Sequence, residues 1–101
     1  MNRETINRVE VLDTGELFLG IEGQGNPMYQ HVYREAAGVY WDEIRFGFKS
    51  TPMRDWTCST WYKQIISVAR YVGVELALAD NVIWSGVPEN EKAEIRRAKA
   101  I

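Results

Sequence analysis

The segment from Trp56 to Gly73 constrains this chain more than any other, because its start, its periodicity and its stop agree. Cys58, Trp61, Tyr62, Ile65, Ala69 and Val72 recur at three- and four-residue spacing, with Ile66 and Val68 beside them. Ser59, Thr60, Lys63, Gln64, Ser67 and Arg70 fall on the other side. A stripe this broad marks a helix that faces a core. Thr57 suits the N-cap, where a hydroxyl accepts from a free N–H of the first turn. Gly73 suits the left-handed residue that closes a helix. The rest of the chain must therefore supply an apolar surface that covers the stripe.

That surface reads as a sheet. Asn7–Leu12 and Glu16–Ile21 alternate around the turn Asp13-Thr14-Gly15, with Val9 and Val11 on one face and Leu17, Leu19 and Ile21 on one face, which is a hairpin pattern. Gly23-Gln24-Gly25-Asn26-Pro27 breaks it as a plain connector, since it lacks the lysine and Ser/Thr of a phosphate-cradling loop. From Met28 to Ala37 two periods compete. Tyr29, Val32, Tyr33 and Ala36 have helical spacing behind Asn26 and Pro27, yet Tyr29, His31 and Tyr33 alternate. Extended structure with a bend near Ala37-Gly38 is the preferred reading.

Val39-Tyr40-Trp41 and Phe46-Gly47-Phe48-Lys49 form a second hairpin across the turn Asp42–Arg45, with aromatics on alternate sides that imply cover on both faces. Ser50–Asp55 links it to the central helix. After Gly73, Val74, Leu76 and Leu78 point one way along a strand that ends near Ala79, and Asp80–Gly86 reads as a loop. A helix followed at once by an apolar strand places that strand beside the hairpins with the helix across the sheet. Pro88 opens a last helix, acidic at its start (Glu89, Glu91, Glu94) and basic at its end (Arg96, Arg97, Lys99), as the helix dipole prefers. Its apolar stripe of Ile95, Ala98 and Ile101 is thin, so weak docking is expected.

The expected fold is α+β: a mainly antiparallel sheet of two hairpins plus one later strand, covered by the central helix, with a short C-terminal helix. A chain of 101 residues suits one domain, spanning residues 1–101. A net charge of −2 argues against a nucleic-acid binder, which presents a surplus of cations on one face. One cysteine cannot form an intrachain disulfide and suits a reducing, cytoplasmic setting. The polar start Met1–Thr5 does not read as a signal peptide, and no apolar run approaches the ~18 residues of a membrane span.

Chemistry is harder to find. Cys58 lies in the first turn of the central helix, where the dipole lowers a thiol pKa, but it also lies on the apolar stripe, and burial makes a thiol inert. His31 is the only histidine, so a Cys–His pair or a zinc site has little support, and His31 reads as a partly exposed residue. No catalytic residue, metal or cofactor is expected. The aromatic content stands out instead: four Trp, five Tyr and three Phe. Trp61 and at least one other indole are expected in the core. Some of the rest should reach the surface, where Trp, Tyr and Arg are the types that anchor interfaces. Tyr40, Arg54, Trp56, Trp84 and His31 are the candidate binding surface.

The pattern Val39-Tyr40-Trp41-Asp42, Trp56, Trp61, Gln64-Ile65, Gly73-Val74, Trp84 and Pro88 resembles short uncharacterised bacterial proteins carried on mobile gene cassettes, including those of integrons. The likeness runs from Tyr33 to Pro88. It implies a bacterial, cytoplasmic, single-domain protein able to form homo-oligomers, and it hands over no catalytic residue. The expected function is non-catalytic binding or regulation through an aromatic surface, with a second copy or a bacterial protein as partner. The alternative is a small-molecule-binding protein or minor enzyme whose aromatic-lined pocket takes a small aromatic or apolar ligand.

Overall fold

The computed structural model describes residues 2–34 and 38–98. Strands β1 (Asn2–Val11), β2 (Glu16–Ile21), β3 (Val39–Asp42), β4 (Gly47–Pro52) and β5 (Val74–Ser85) form one sheet in the order β3-β4-β2-β1-β5. The helices are α1 (Cys58–Tyr71) and α2 (Glu89–Arg97). Every pairing is antiparallel except β1 with β5. The exception follows from connectivity. β4 and β5 run the same way because α1 carries the chain back across the sheet between them, and parallel strands need such a crossover. The α+β architecture expected from the sequence is therefore present, as a mixed sheet that is mostly antiparallel.

α1 forms where its stripe predicted. Thr57 is the N-cap, its Oγ1 accepting from Thr60 N at 3.3 Å, and Gly73 follows the helix with φ +93°. The Gly73 carbonyl then accepts from Asn2 N at 2.9 Å, which ties the end of the helix to the start of β1. Tyr62, Ile65, Ile66 and Ala69 are buried against Ile6, Val9, Leu19, Phe48, Val74 and Leu76 of the sheet. Ser59, assigned to the solvated side, is buried as well, because α2 packs over it.

Irregularities in the sheet decide which residues reach that core. Ile6 pairs with Ile21 but Arg8 pairs with Gly20, so Asn7 is an extra residue in β1. The bulge resets the alternation and lets Ile6 and Val9 both face α1. On the other side of β1, Leu78 pairs with Ile6 and Ile83 with Arg8, so residues 79–82 leave the ladder opposite Asn7. The loop expected over Asp80–Gly86 is thus corrected. The strand continues to Ser85 and only bulges, because Val82 turns inward and is buried.

The preferred extended reading of residues 28–37 is also overturned: Pro27–Arg34 is a 3-10 helix. Asn26 starts it, with Oδ1 accepting from Met28 N and the carbonyl accepting from Tyr29 N, both at 2.9 Å. Residues three apart eclipse in a 3-10 helix, so Tyr29 and Val32 enter the core together. Ala36, Ala37, Lys99 and Ile101 lie outside the described residues, and with them part of the expected bend and of the last helix's stripe. The second hairpin is present, although only its helix-side face is covered. Val39 is buried and Trp41 half-buried, while Tyr40 is 42% exposed. α2 docks more firmly than its thin stripe suggested, with Ile95 and the preceding Val87 both buried.

No indole is fully buried: Trp61, expected in the core, is half-buried and packs against it from the edge, as Trp41 and Trp84 do. The large buried rings on the helix side are Tyr29, Tyr62 and Phe48. Tyr29, Trp41 and Phe48 pack with centroids 5.0 to 5.5 Å apart, contacts worth about 0.5–1.5 kcal/mol each beyond area burial. Tyr29 also donates its hydroxyl to Glu4 Oε2 at 2.6 Å; burial and then that carboxylate push its pKa to about 12. Phe18 is buried on the opposite face, against Gly47, where a Cβ would fall 2.5 Å from its ring, and under the Arg8 guanidinium at 5.2 Å.

A second bulge lies in β4, where the register with β2 shifts between Lys49 and Pro52. Ser50 repairs it. Its buried Oγ accepts from Leu17 N at 2.9 Å and donates to the Thr51 carbonyl at 2.7 Å. Ser50→Ala leaves the Leu17 N–H without a partner and is expected to cost about 1–3 kcal/mol. Urea unfolding should show this as a lower midpoint at unchanged slope; an unaltered midpoint would remove Ser50 from the account of the bulge.

A candidate binding cleft at two indoles

Pro52 closes β4, and Met53 N is held by the Gly15 carbonyl at 2.9 Å as the chain leaves the sheet. Residues 54–56 bend toward the N-cap Thr57, so Trp56 stands just ahead of α1 and Trp61 in its first turn and a half. Their rings meet with centroids 4.7 Å apart, tilted by 50°. Trp61 lies against Gly38, where a Cβ would come within 2.7 Å of the indole; Gly38 also has φ +93°, so glycine is required there on both counts. The Gly38 carbonyl accepts from Thr51 N at 2.9 Å, which fixes the floor beneath the ring.

Thr51, Pro52, Arg54, Asp55, Trp56 and Trp61 line a cleft of about 350 Å³ at this place. Trp56 is 45% exposed and Trp61 is half-buried. Arg54 and Asp55 are exposed, and neither is ion-paired or hydrogen-bonded through its side chain to a described residue. Two faces of π density, one cation and one anion therefore border a single hollow.

The structure brings only part of the expected surface together. Arg54 and Trp56 share the cleft. Tyr40 lies on β3 and Trp84 on β5, at opposite edges of the sheet, about 19 Å apart at four strand spacings of ~4.8 Å. Trp84 is half-buried under α2, with Arg96 5.4 Å and Lys92 6.0 Å from its ring centre. His31 is exposed on the 3-10 helix. Trp61, expected in the core, instead completes the cleft. Its position on the flank of the stripe, beside Thr60 on the solvated side, was the available signal.

The start of α1 is occupied from within the chain. Glu91 Oε1 of α2 accepts from Ser59 N at 2.8 Å, and Thr57 takes Thr60 N. The Ser59 N–H holds the Glu91 carboxyl below its ordinary value near 4.5. Cys58, next in line, is buried; burial and then the Glu91 charge push its thiol pKa up, the opposite of what a reactive first-turn cysteine needs. Among the described residues no group of three or more His, Cys, Asp or Glu is placed to hold a metal ion. Among them, too, no helix is long and apolar enough to cross a membrane.

Two outcomes follow from this corner. Glu91→Ala should destabilise the protein by about 1 kcal/mol, as loss of a helix cap does. Because the folded-state pKa is lowered, Glu91's contribution is full above pH 4.5 and lost as pH falls through the folded value, so the variant and wild type should converge in acid. Thermal melts across that range check the sign. Cys58 should react with a thiol reagent at neutral pH only when the chain is unfolded by denaturant; rapid modification of the native protein would contradict its burial.

No protein-family model matches the sequence, and no curated protein matches it. Among solved structures, the chain is 31% identical to the integron cassette protein Hfx_Cass5, from the mobile metagenome of the North West Arm sewage outfall. The alignment covers 95% of this chain and 94% of that one, with a TM-score of 0.43. The resemblance to mobile-cassette proteins, read from the Trp and Gly pattern, is borne out by the sequence identity. With that identity over nearly the whole of both chains, this protein belongs to the family of that integron cassette protein.

Proposed function

We propose that this is a non-catalytic binding protein of a bacterium, acting in the cytoplasm through an aromatic surface centred on Trp56 and Trp61. One observation carries the reading: two indoles in mutual contact border an open cleft, with Trp56 nearly half exposed at 45%. Apolar rings left in water are favoured where something covers them, and Trp and Arg are the types most enriched among residues that dominate binding. The partner is a second copy of the chain or another bacterial protein. A specific observation favours the alternative of a small aromatic or apolar ligand as well, since the hollow of about 350 Å³ sits at the small end of ligand pockets. Catalysis draws less support, because the thiol best placed for it is buried with a raised pKa.

Light scattering on wild type and Trp56→Ala separates the occupants. Self-association through the cleft predicts a mass above the monomer for wild type and a fall toward the monomer in the variant. A wild-type monomer at high concentration would rule out the second copy, leaving a heterologous protein or a small ligand as the occupant.

A further inference from the structure

The charges at the Trp56–Trp61 cleft differ from those at another polar hollow among the described residues. In the hollow beside the first hairpin, lined in part by Glu16, Arg45 and Lys49, the cations already have partners. Lys49 Nζ lies 3.8 Å from Glu16 and 3.5 Å from Asp42, and Arg45 lies 2.9 Å from Asp42. At the indoles, Arg54 and Asp55 follow one another in the chain, line the same cleft, and pair neither with each other nor with any described residue.

We propose that this cleft binds a small zwitterion with an apolar or aromatic body, of the free-amino-acid class. The inference rests on the small-ligand reading of the site. The ligand carboxylate lies on the Arg54 guanidinium, whose planar fork matches it. The ligand ammonium lies between the Asp55 carboxylate and the π face of an indole, both of which attract a cation. The body covers the open face of Trp56. A volume of about 350 Å³ admits one molecule of that size. A ligand carrying one charge leaves either Arg54 or Asp55 facing only water, so each charge removed should weaken binding by about two- to fivefold, as exposed ion pairs do.

The test titrates the full chain with L-phenylalanine, phenethylamine, 3-phenylpropionate and neutral 3-phenylpropanamide, read by tryptophan emission and by amide NMR shifts of Thr51, Asp55 and Trp61. The expected result is tightest binding of L-phenylalanine, by about two- to fivefold over each singly charged analogue and by more over the amide. Arg54→Gln should level L-phenylalanine with phenethylamine, and Asp55→Asn should level it with 3-phenylpropionate. Trp56→Ala should remove binding of all four. These side chains are exposed, so the variants keep the fold, which a melting curve checks. Equal affinity for the neutral amide would overturn the zwitterion assignment while keeping an aromatic slot. Silence from every probe at millimolar concentration would overturn the inference and the small-ligand reading together. The protein-partner reading is judged apart, by mass.

Discussion

The structure depends on the burial of one face of α1 against one face of the sheet. Tyr62, Ile65, Ile66 and Ala69 share one core with buried residues from all five strands. Both ends of the helix are tied to distant chain. At its start a carboxylate of α2 holds a first-turn N–H, and at its end the Gly73 carbonyl holds the first residue of β1. At the start, the tie satisfies a donor that a helix otherwise leaves orphaned. The two ties join the first and last elements of the chain to the central one.

A sheet covered on one side must still manage its other side. This one does so with few resources: Phe18 lies against Gly47 under the Arg8 guanidinium, and Asp42, Lys49, Arg45 and Glu16 form a connected set of charges. The bulges serve the same division. The extra residue at Asn7 brings Ile6 and Val9 onto the helix side, and the one beside Ser50 lets a side-chain hydroxyl replace a ladder partner. Both illustrate how a strand can change which residues it buries without losing its place in the sheet.

The aromatics divide between those buried in the core and those left at its edge or at the surface. The helix-side core takes Tyr29, Tyr62 and Phe48, rings narrow enough for the space between one helix and a five-stranded sheet. Indoles are larger and carry an N–H that needs a partner, so they settle where one edge stays wet. Trp41 and Trp84 are capped by neighbouring side chains of the same chain. Trp56 and Trp61 meet each other, Trp61 also resting on the core beside Gly38, and the hollow beside them is the proposed binding site.

Local signals were enough for much of this. The spacing from Cys58 to Val72, the hydroxyl of Thr57 and the glycine at 73 specify α1, and alternation around Gly15 and around Asp42–Arg45 specifies both hairpins. Such features depend on neighbours within a few residues, so they are legible in the sequence. The 3-10 helix at Pro27–Arg34 was less so, because its aromatic and β-branched residues satisfy two periods and only the core decides between them. The surplus of indoles and the pairing of Arg54 with Trp56 were visible in the sequence, whereas Trp61's place beside them was signalled only by its position on the flank of the stripe. The parallel partner of β5, the bulge opposite Asn7, the reach of Glu91 to Ser59 and the cleft itself were decided by tertiary structure. Each joins residues far apart in the chain, whose meeting depends on how the sheet and helices pack rather than on any local preference.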